Sequence, residues 1–133
     1  MIVDTSALIA ILHEEPRHLE LGNAIAGGGF VPAPVLVEFR RVATRRGARE
    51  APEAEAMLAQ ILTQLLVEPF TAADADLAAS ANIEHGAGNR RGGRLNLLDL
   101  MVYAMARRMD LPILCTGADF AATGIAIHPA SRD

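Results

Sequence analysis

The sequence contains no lysine and no tryptophan, and it has one cysteine, one tyrosine and four phenylalanines. A lone thiol, Cys115, cannot close an intramolecular disulfide. That excludes the small disulfide-stapled scaffolds and is the expected state of a cytoplasmic protein. No apolar run approaches the roughly 20 residues needed to cross a bilayer. The opening Met1-Ile2-Val3-Asp4 has neither a basic stretch nor a long apolar one, so no signal peptide and no membrane association are expected. Without lysine, the twelve basic side chains are all arginine, set against sixteen acids, for a net charge of −4. A nucleic-acid binder is more often basic, so the global charge points away from that class.

What is present suits a folded domain. The chain has 133 residues, 51% of them hydrophobic and 21% charged, a size and composition expected of one core and a single domain over residues 1–133. Short strand-like runs alternate with helical ones, which predicts an α/β fold with a mostly parallel sheet. Strands are expected at 1–4, 30–32, 67–70, 112–115 and 125–128. Helices are expected from Ala7 to about Glu14 with Thr5 and Ser6 as caps, over 17–26, from near Pro34 to about Arg46 with Gly47 as its stop, over 51–66, from Thr71 or Ala72 to about His85, and over 95–109. In the fourth of these, Ala54, Leu58, Ile61, Leu62 and Leu65 recur at helical spacing, as core positions do. Residues 86–94, Gly-Ala-Gly-Asn-Arg-Arg-Gly-Gly-Arg, read as a flexible loop.

Four acids stand where chemistry is done. Asp4 ends an apolar strand, and ligands of open α/β sheets gather outside the carboxyl ends of strands; the other use of an acid there is to cap the first helix. Asp99 lies in the apolar stretch Leu95-Asn-Leu-Leu-Asp-Leu-Met-Val-Tyr. An ionised carboxylate in such surroundings is costly unless it is paired or holds a cation, and Asn96, three residues before it, shares its face. Glu38 sits among Pro34, Val35, Val37, Phe39 and Val42. Its other use is an intrahelical pair with Arg41 or Arg45, a contact contributing about 0.2–0.5 kcal/mol. Asp119 follows Thr116-Gly117 at another strand end, where it is open either to a ligand or to capping a helical turn at 119–122. Strands one and four of such a sheet are commonly neighbours, so the four acids can converge. Clustered carboxylates repel one another unless protons or cations neutralise them. An all-oxygen set selects Mg²⁺ or Mn²⁺ over Zn²⁺, and such ions activate water and stabilise the leaving oxygen of a phosphodiester.

These stretches resemble a known family. Met1-Ile-Val-Asp-Thr-Ser-Ala-Leu-Ile-Ala-Ile-Leu, Pro34-Val-Leu-Val-Glu38, Leu95-Asn-Leu-Leu-Asp99 and Leu114-Cys-Thr-Gly-Ala-Asp-Phe120 are together similar to PIN-domain ribonucleases of the VapC kind, the toxins of type II VapBC toxin–antitoxin systems. The order and spacing match over essentially the whole chain. The resemblance implies a PIN-like three-layer sandwich, with a central sheet of four to five short strands and helices on both faces. It implies that Asp4, Glu38, Asp99 and Asp119 are catalytic acids and ligands of Mg²⁺ or Mn²⁺, with Asp4 and Asp99 the main ligands. Ser6 and Asn96 match supporting polar positions. The family often carries an aromatic residue and a glycine before the third acid, where this chain has Leu97 and Leu98. The resemblance further implies a homodimer, a cognate VapB-type antitoxin lying across an apolar groove beside the site, and endonucleolytic cleavage of structured RNA such as tRNA or rRNA.

The arginines fall into two groups, Arg40, Arg41, Arg45, Arg46 and Arg49, and Arg90, Arg91 and Arg94. Arginine pairs bidentately with phosphate and stacks on bases, so RNA contact through the second group is one expectation; solvated helix faces and a plain loop are the other. A receiver domain would need a lysine, which is lacking, and a haloacid-type phosphatase a second Asp where Ser6 stands. His13, His18, His85 and His128 lack zinc-ligand spacing, and Cys115 reads as core. Asp74, Asp76 and Glu84 read as a solvated helix face. The rival reading from another class is a non-catalytic PIN-like module that binds RNA or protein without cutting.

Overall fold

The computed structural model describes residues 1–45 and 50–132. Four short strands form the sheet: β1 (Ile2–Val3), β2 (Gly29–Pro32), β3 (Leu65–Glu68) and β4 (Ile113–Leu114). Their order is β3-β2-β1-β4 and every pairing is parallel. Helices α1 (Thr5–Leu12) and α2 (His18–Ala26) join β1 to β2, α3 (Ala33–Arg45) and α4 (Glu50–Ile61) join β2 to β3, and α5 (Ala72–His85) and α6 (Leu97–Met109) join β3 to β4. The first two crossovers move outward in one direction and the third returns past β2 and β1. With right-handed crossovers, α1–α4 and α5–α6 cover opposite faces. This is the α/β sandwich expected, with a sheet wholly rather than mostly parallel. A fifth strand is reduced to one bridge, Ile127 against Ile113. Among the described residues no helix is long and apolar enough to cross a membrane.

Strands β1 and β4 are short and buried on both sides, with Ile2, Val3, Ile113 and Leu114 fully covered, as parallel strands between helical layers are, whereas the edge strand β3 leaves Leu66 and Val67 exposed. Each helix supplies a stripe. Val35, Phe39 and Ala43 on α3 and Ala54, Leu58 and Ile61 on α4 recur at one helical face and are buried. Cys115 is core, as expected.

Several local expectations shift. The first helix is capped by Asp4 rather than by Thr5 or Ser6, so it begins at Thr5. The fourth helix stops at Ile61, and Leu65 and Leu66 belong to β3; an unbroken alanine- and leucine-rich run carries no helix-stop signal, so periodicity alone overran the turn. The last long helix starts at Leu97 because Asn96 is its cap. The expected helix stop at Arg46-Gly47 lies outside the described residues. Asp119 does not cap a turn at 119–122; the 3₁₀ turn is Ala121–Thr123, preceded by Phe120.

Asp74 is the clearest correction. It is fully buried, not part of a solvated face. Its carboxylate accepts the Thr71 backbone amide at 2.8 Å and takes Nε and Nη2 of Arg108 at 2.5 and 3.2 Å, while Nη2 also donates to Glu68 at 3.0 Å. One guanidinium thus joins the end of β3, the start of α5 and the last turn of α6.

Candidate active site

The sheet direction reverses beside β1, so its neighbours β2 and β4 are reached by connections on opposite faces. The crevice outside the carboxyl ends of such strands is where open α/β sheets gather ligands. Asp4 follows β1, Glu38 lies on the helix that follows β2, and Asp119 lies in the turn that follows β4. Asp99 comes in from the first turn of α6. The expectation that strands one and four are adjacent holds, with Ile2 paired to Ile113 and Val3 to Leu114.

Asp4 is 6% exposed. Its backbone amide donates to the Leu114 carbonyl at 2.9 Å, which completes the β1–β4 register. Its Oδ2 accepts the Ser6 amide at 3.0 Å and the Ser6 hydroxyl at 2.5 Å. The two readings of Asp4 are therefore compatible: it caps α1 and also presents a carboxyl at the crevice. Burial pushes its pKa up, and the Ser6 bonds offset only part of that rise. Ser6 Oγ also accepts the Thr116 amide at 3.0 Å, fastening the turn after β4 to the start of α1.

Glu38 is half-buried, and its pKa is raised first by burial and then by the charge of Asp4. Among the described residues no ion pair joins it to Arg41 or Arg45; Arg41 eases its charge only from a distance. The buried Thr5 hydroxyl also favours the Glu38 carboxylate, but Thr5 Oγ1 completes no hydrogen bond of good geometry to any protein group.

Asp99 and Asn96 form a capping box. The Asn96 amide donates to Asp99 Oδ2 and the Asp99 amide to Asn96 Oδ1, each at 2.9 Å. Asn96 therefore orients the Asp99 carboxylate, as expected, through its backbone amide, while its side chain caps the helix. The Asp99 carboxyl is pushed up to about 6, first by burial against the Asn96 bond that lowers it, then by the charges of Asp4, Glu38 and Asp119. Asp99 is thus the acid that feels the charge of the other three. Asp119 is exposed at the rim.

Among the described residues these side chains form no ready-made three-ligand chelate. A divalent cation fits the donor set nonetheless. The donors are hard oxygens, Asp4, Glu38 and Asp99 resist ionising, and the orphaned Thr5 hydroxyl lies beside Glu38, where a bound water would satisfy it. Next to Glu38 a groove of about 910 Å³ runs between α3 and α6 and is lined by Val37, Arg41, Leu97, Leu98 and Met101 among others. Val37 and Leu97 are exposed there. The two leucines before the third acid therefore build groove wall and leave Asp99 in place.

The fold and this cluster define a parallel α/β protein whose crevice gathers acids from two strand ends and two helices. Residues 1–126 match the PIN domain model. The chain is 35% identical over 130 residues to ribonuclease VapC36 of Mycobacterium tuberculosis, covering 94% of this chain and 91% of that protein. In structure it resembles VapC20 of M. tuberculosis, a sarcin–ricin-loop-cleaving toxin, with a TM-score of 0.73 at 24% identity over 94% and 95% of the two chains. It also resembles a chain of a toxin–antitoxin complex from Klebsiella pneumoniae, with a TM-score of 0.71 at 16% identity over 96% of each chain. The chain belongs to the PIN-domain family, among its VapC members.

Proposed function

We propose that the chain, read as one PIN domain over residues 1–133, is a divalent-metal-dependent endoribonuclease and the toxin of a VapBC-type pair. Asp4 and Asp99 are its main ligands for Mg²⁺ or Mn²⁺, with Glu38 and Asp119 completing the set directly or through water. The observation that carries this reading is the gathering of Asp4 and Asp119 beyond the paired strands β1 and β4 with Asp99, whose carboxyl is pushed up to about 6 first by burial and then by the charges of the other three acids. A carboxyl that is buried beside other carboxyls and resists ionising is a natural seat for a cation. When bound, the metal supplies an activated water and charge stabilisation at the leaving oxygen. The chain's own residues do the rest. Ser6 holds Asp4 in its rotamer, the Asn96 amide holds Asp99, and burial keeps bulk water off Asp4.

The relatives support the partner and the substrate class. RNA is the substrate, a VapB-type antitoxin the inhibitor and the groove beside Glu38 its seat, a second copy of the chain the dimer partner, and the cytoplasm the compartment where these meet. The test is cleavage of total RNA by the purified chain with Mg²⁺ or Mn²⁺, with EDTA, and by Asp99→Asn. Discrete fragments that require metal and vanish in the variant are expected. Cutting that survives both EDTA and the substitution overturns the reading, and tight RNA binding without cutting transfers it to the non-catalytic module.

A further inference from the structure

The loop between α5 and α6 is built rather than slack. Its ends are drawn together by the Leu95 amide, which donates to the His85 carbonyl at 2.9 Å, and the His85 ring leans on Tyr103 with centroids 5.4 Å apart. Inside it, Asn89 Nδ2 donates to the carbonyls of Gly86 and Gly93 at 2.9 and 3.0 Å, and its Oδ1 accepts the Arg91 amide at 2.6 Å. One side chain therefore fastens both flanks of the arginine pair. Gly93 has φ +67°, and a Cβ there would meet the Ala122 Cβ at 2.6 Å and the Asp119 carbonyl at 3.3 Å. No other residue lets the loop lie this close on the turn that carries Asp119. Loop and Asp119 together line a cavity of about 390 Å³.

The charges around this cavity are unbalanced. Arg91 reaches Glu84 at 4.0 Å across an exposed surface. Arg90 and Arg94 are exposed and pair with no carboxylate among the described residues. The sheet order sets Glu38, Asp4 and Asp119 in a row, following β2, β1 and β4. Arg41 and Arg45 line the groove at the Glu38 end, and Arg90 and Arg94 the cavity at the Asp119 end. A row of acids repels a polyanion, and the chain as a whole is negative, so with no metal on the acids an RNA strand is held by local cations at the two ends of the row.

We propose that loop 86–94 is a phosphate-gripping lip. Arg90 and Arg94 hold backbone phosphates of the RNA strand on the Asp119 side, and the strand crosses the acids toward Arg41 and Arg45. The inference takes its substrate class from the nuclease reading. Contacts of this kind fix register and orientation without reading bases.

The test is binding of a short fluorescein-labelled single-stranded RNA to the full chain in EDTA, followed by anisotropy over a salt series. Arg90→Gln with Arg94→Gln is expected to weaken binding roughly tenfold and to flatten the slope of log affinity against log salt by about 1.4, from about 0.7 per phosphate contact on a single strand. Asn89→Ala, which removes the fastening and no charge, is expected to weaken binding several-fold with the slope nearly kept. Arg40→Gln is the charge control, since Arg40 is held to Glu55 on α4 at 2.7 Å; it is expected to bind as the parent does. Parent-like binding by the double variant overturns the proposal, as does an equal loss in the Arg40 control or an absence of RNA binding by the parent. A parent that binds through the loop but never cuts with metal sinks the nuclease reading and keeps the lip.

Discussion

The Ser6 hydroxyl donates to Asp4 Oδ2 at 2.5 Å and accepts the Thr116 amide at 3.0 Å. One oxygen thus ties the acid at the end of β1 to the turn that follows β4. Asp4 is buried and disfavours its own ionisation, so the hydroxyl does two things: it stabilises the carboxylate and it fixes the rotamer.

Ser6→Ala removes both. Partners that orient a metal ligand typically change metal affinity 10–100-fold when lost. We expect Mn²⁺ affinity, measured by calorimetry, to fall by about that factor, and cleavage at limiting metal to fall with it. Excess metal should restore most of the rate, since no ligand is lost. Affinity equal to the parent's would show that the Ser6 hydroxyl serves only to fasten the turn after β4.

The Asp99 carboxyl at about 6 sets a pH dependence. Its ionised form is the one that holds a cation, so cleavage at fixed subsaturating metal should rise with pH through about 6 and level off above it. Raising the metal concentration should move the midpoint lower, because the cation competes with the proton. Asp99→Asn should abolish the rise and lower the rate by about 10³-fold, the several kcal/mol a bound metal supplies at the transition state. A profile flat between pH 5 and 7 at low metal, values roughly bracketing that midpoint, would remove Asp99 from the cation site.

The same shift acts on stability, with the opposite sign to activity. The Asp99 pKa is raised from 3.8 to about 6 on folding. Between those values the folded chain binds more protons than the unfolded one, so stability falls as pH rises through that window. Asp4 and Glu38 are raised as well and add to the trend. Metal-free protein should therefore melt lower at pH 7 than at pH 5, and Mg²⁺ should narrow the gap. Asp99→Asn should melt above the parent when both are metal-free, because the substitution removes a charge the fold opposes. A variant that melts below the parent at pH 7 would argue that the capping box outweighs the repulsion.

Much of this site is legible in the residues. An acid at the end of Ile2-Val3, and another inside Leu97 to Met101, violate local apolar patterning, and such violations gather where function opposes stability. Asn96-x-x-Asp99 and Thr71-x-x-Asp74 carry capping-box spacing, so both helix starts were within reach of the sequence. Hidden from it was everything that depends on distant pairing. Arg108 meets Asp74 and Glu68 across gaps of 34 and 40 residues, and no local pattern announces that contact. The rest of the helix surface around Asp74 is exposed, so its periodicity reads as solvent. The loop's approach to Asp119 is equally remote in sequence; only the glycines at 92 and 93 hint that something passes close.

That remote ion pair gives the last prediction. Asp74 is fully covered, whereas Arg108 keeps 27% of its side chain exposed and Glu68 21%. Burial works to raise the Asp74 pKa, but the bonds from Arg108 and Thr71 outweigh it and hold the carboxyl below its ordinary value. Removing the guanidinium leaves a buried carboxylate short of its partner, which costs about 3 kcal/mol at the partly exposed end of the range for broken buried pairs. Arg108→Met should therefore lower the melting temperature by about 10 °C at pH 7 while leaving the cleavage rate of folded protein unchanged, since none of the three residues lies at the crevice. A depressed carboxyl contributes stability that is present above its unfolded value, about 3.9, and lost as pH falls through its folded value. The gap between parent and variant should accordingly hold from neutral pH to about 4 and close in stronger acid. A gap that is the same in strong acid as at pH 7 would mean that Arg108 acts through the packing of its stem, not through the charge of Asp74.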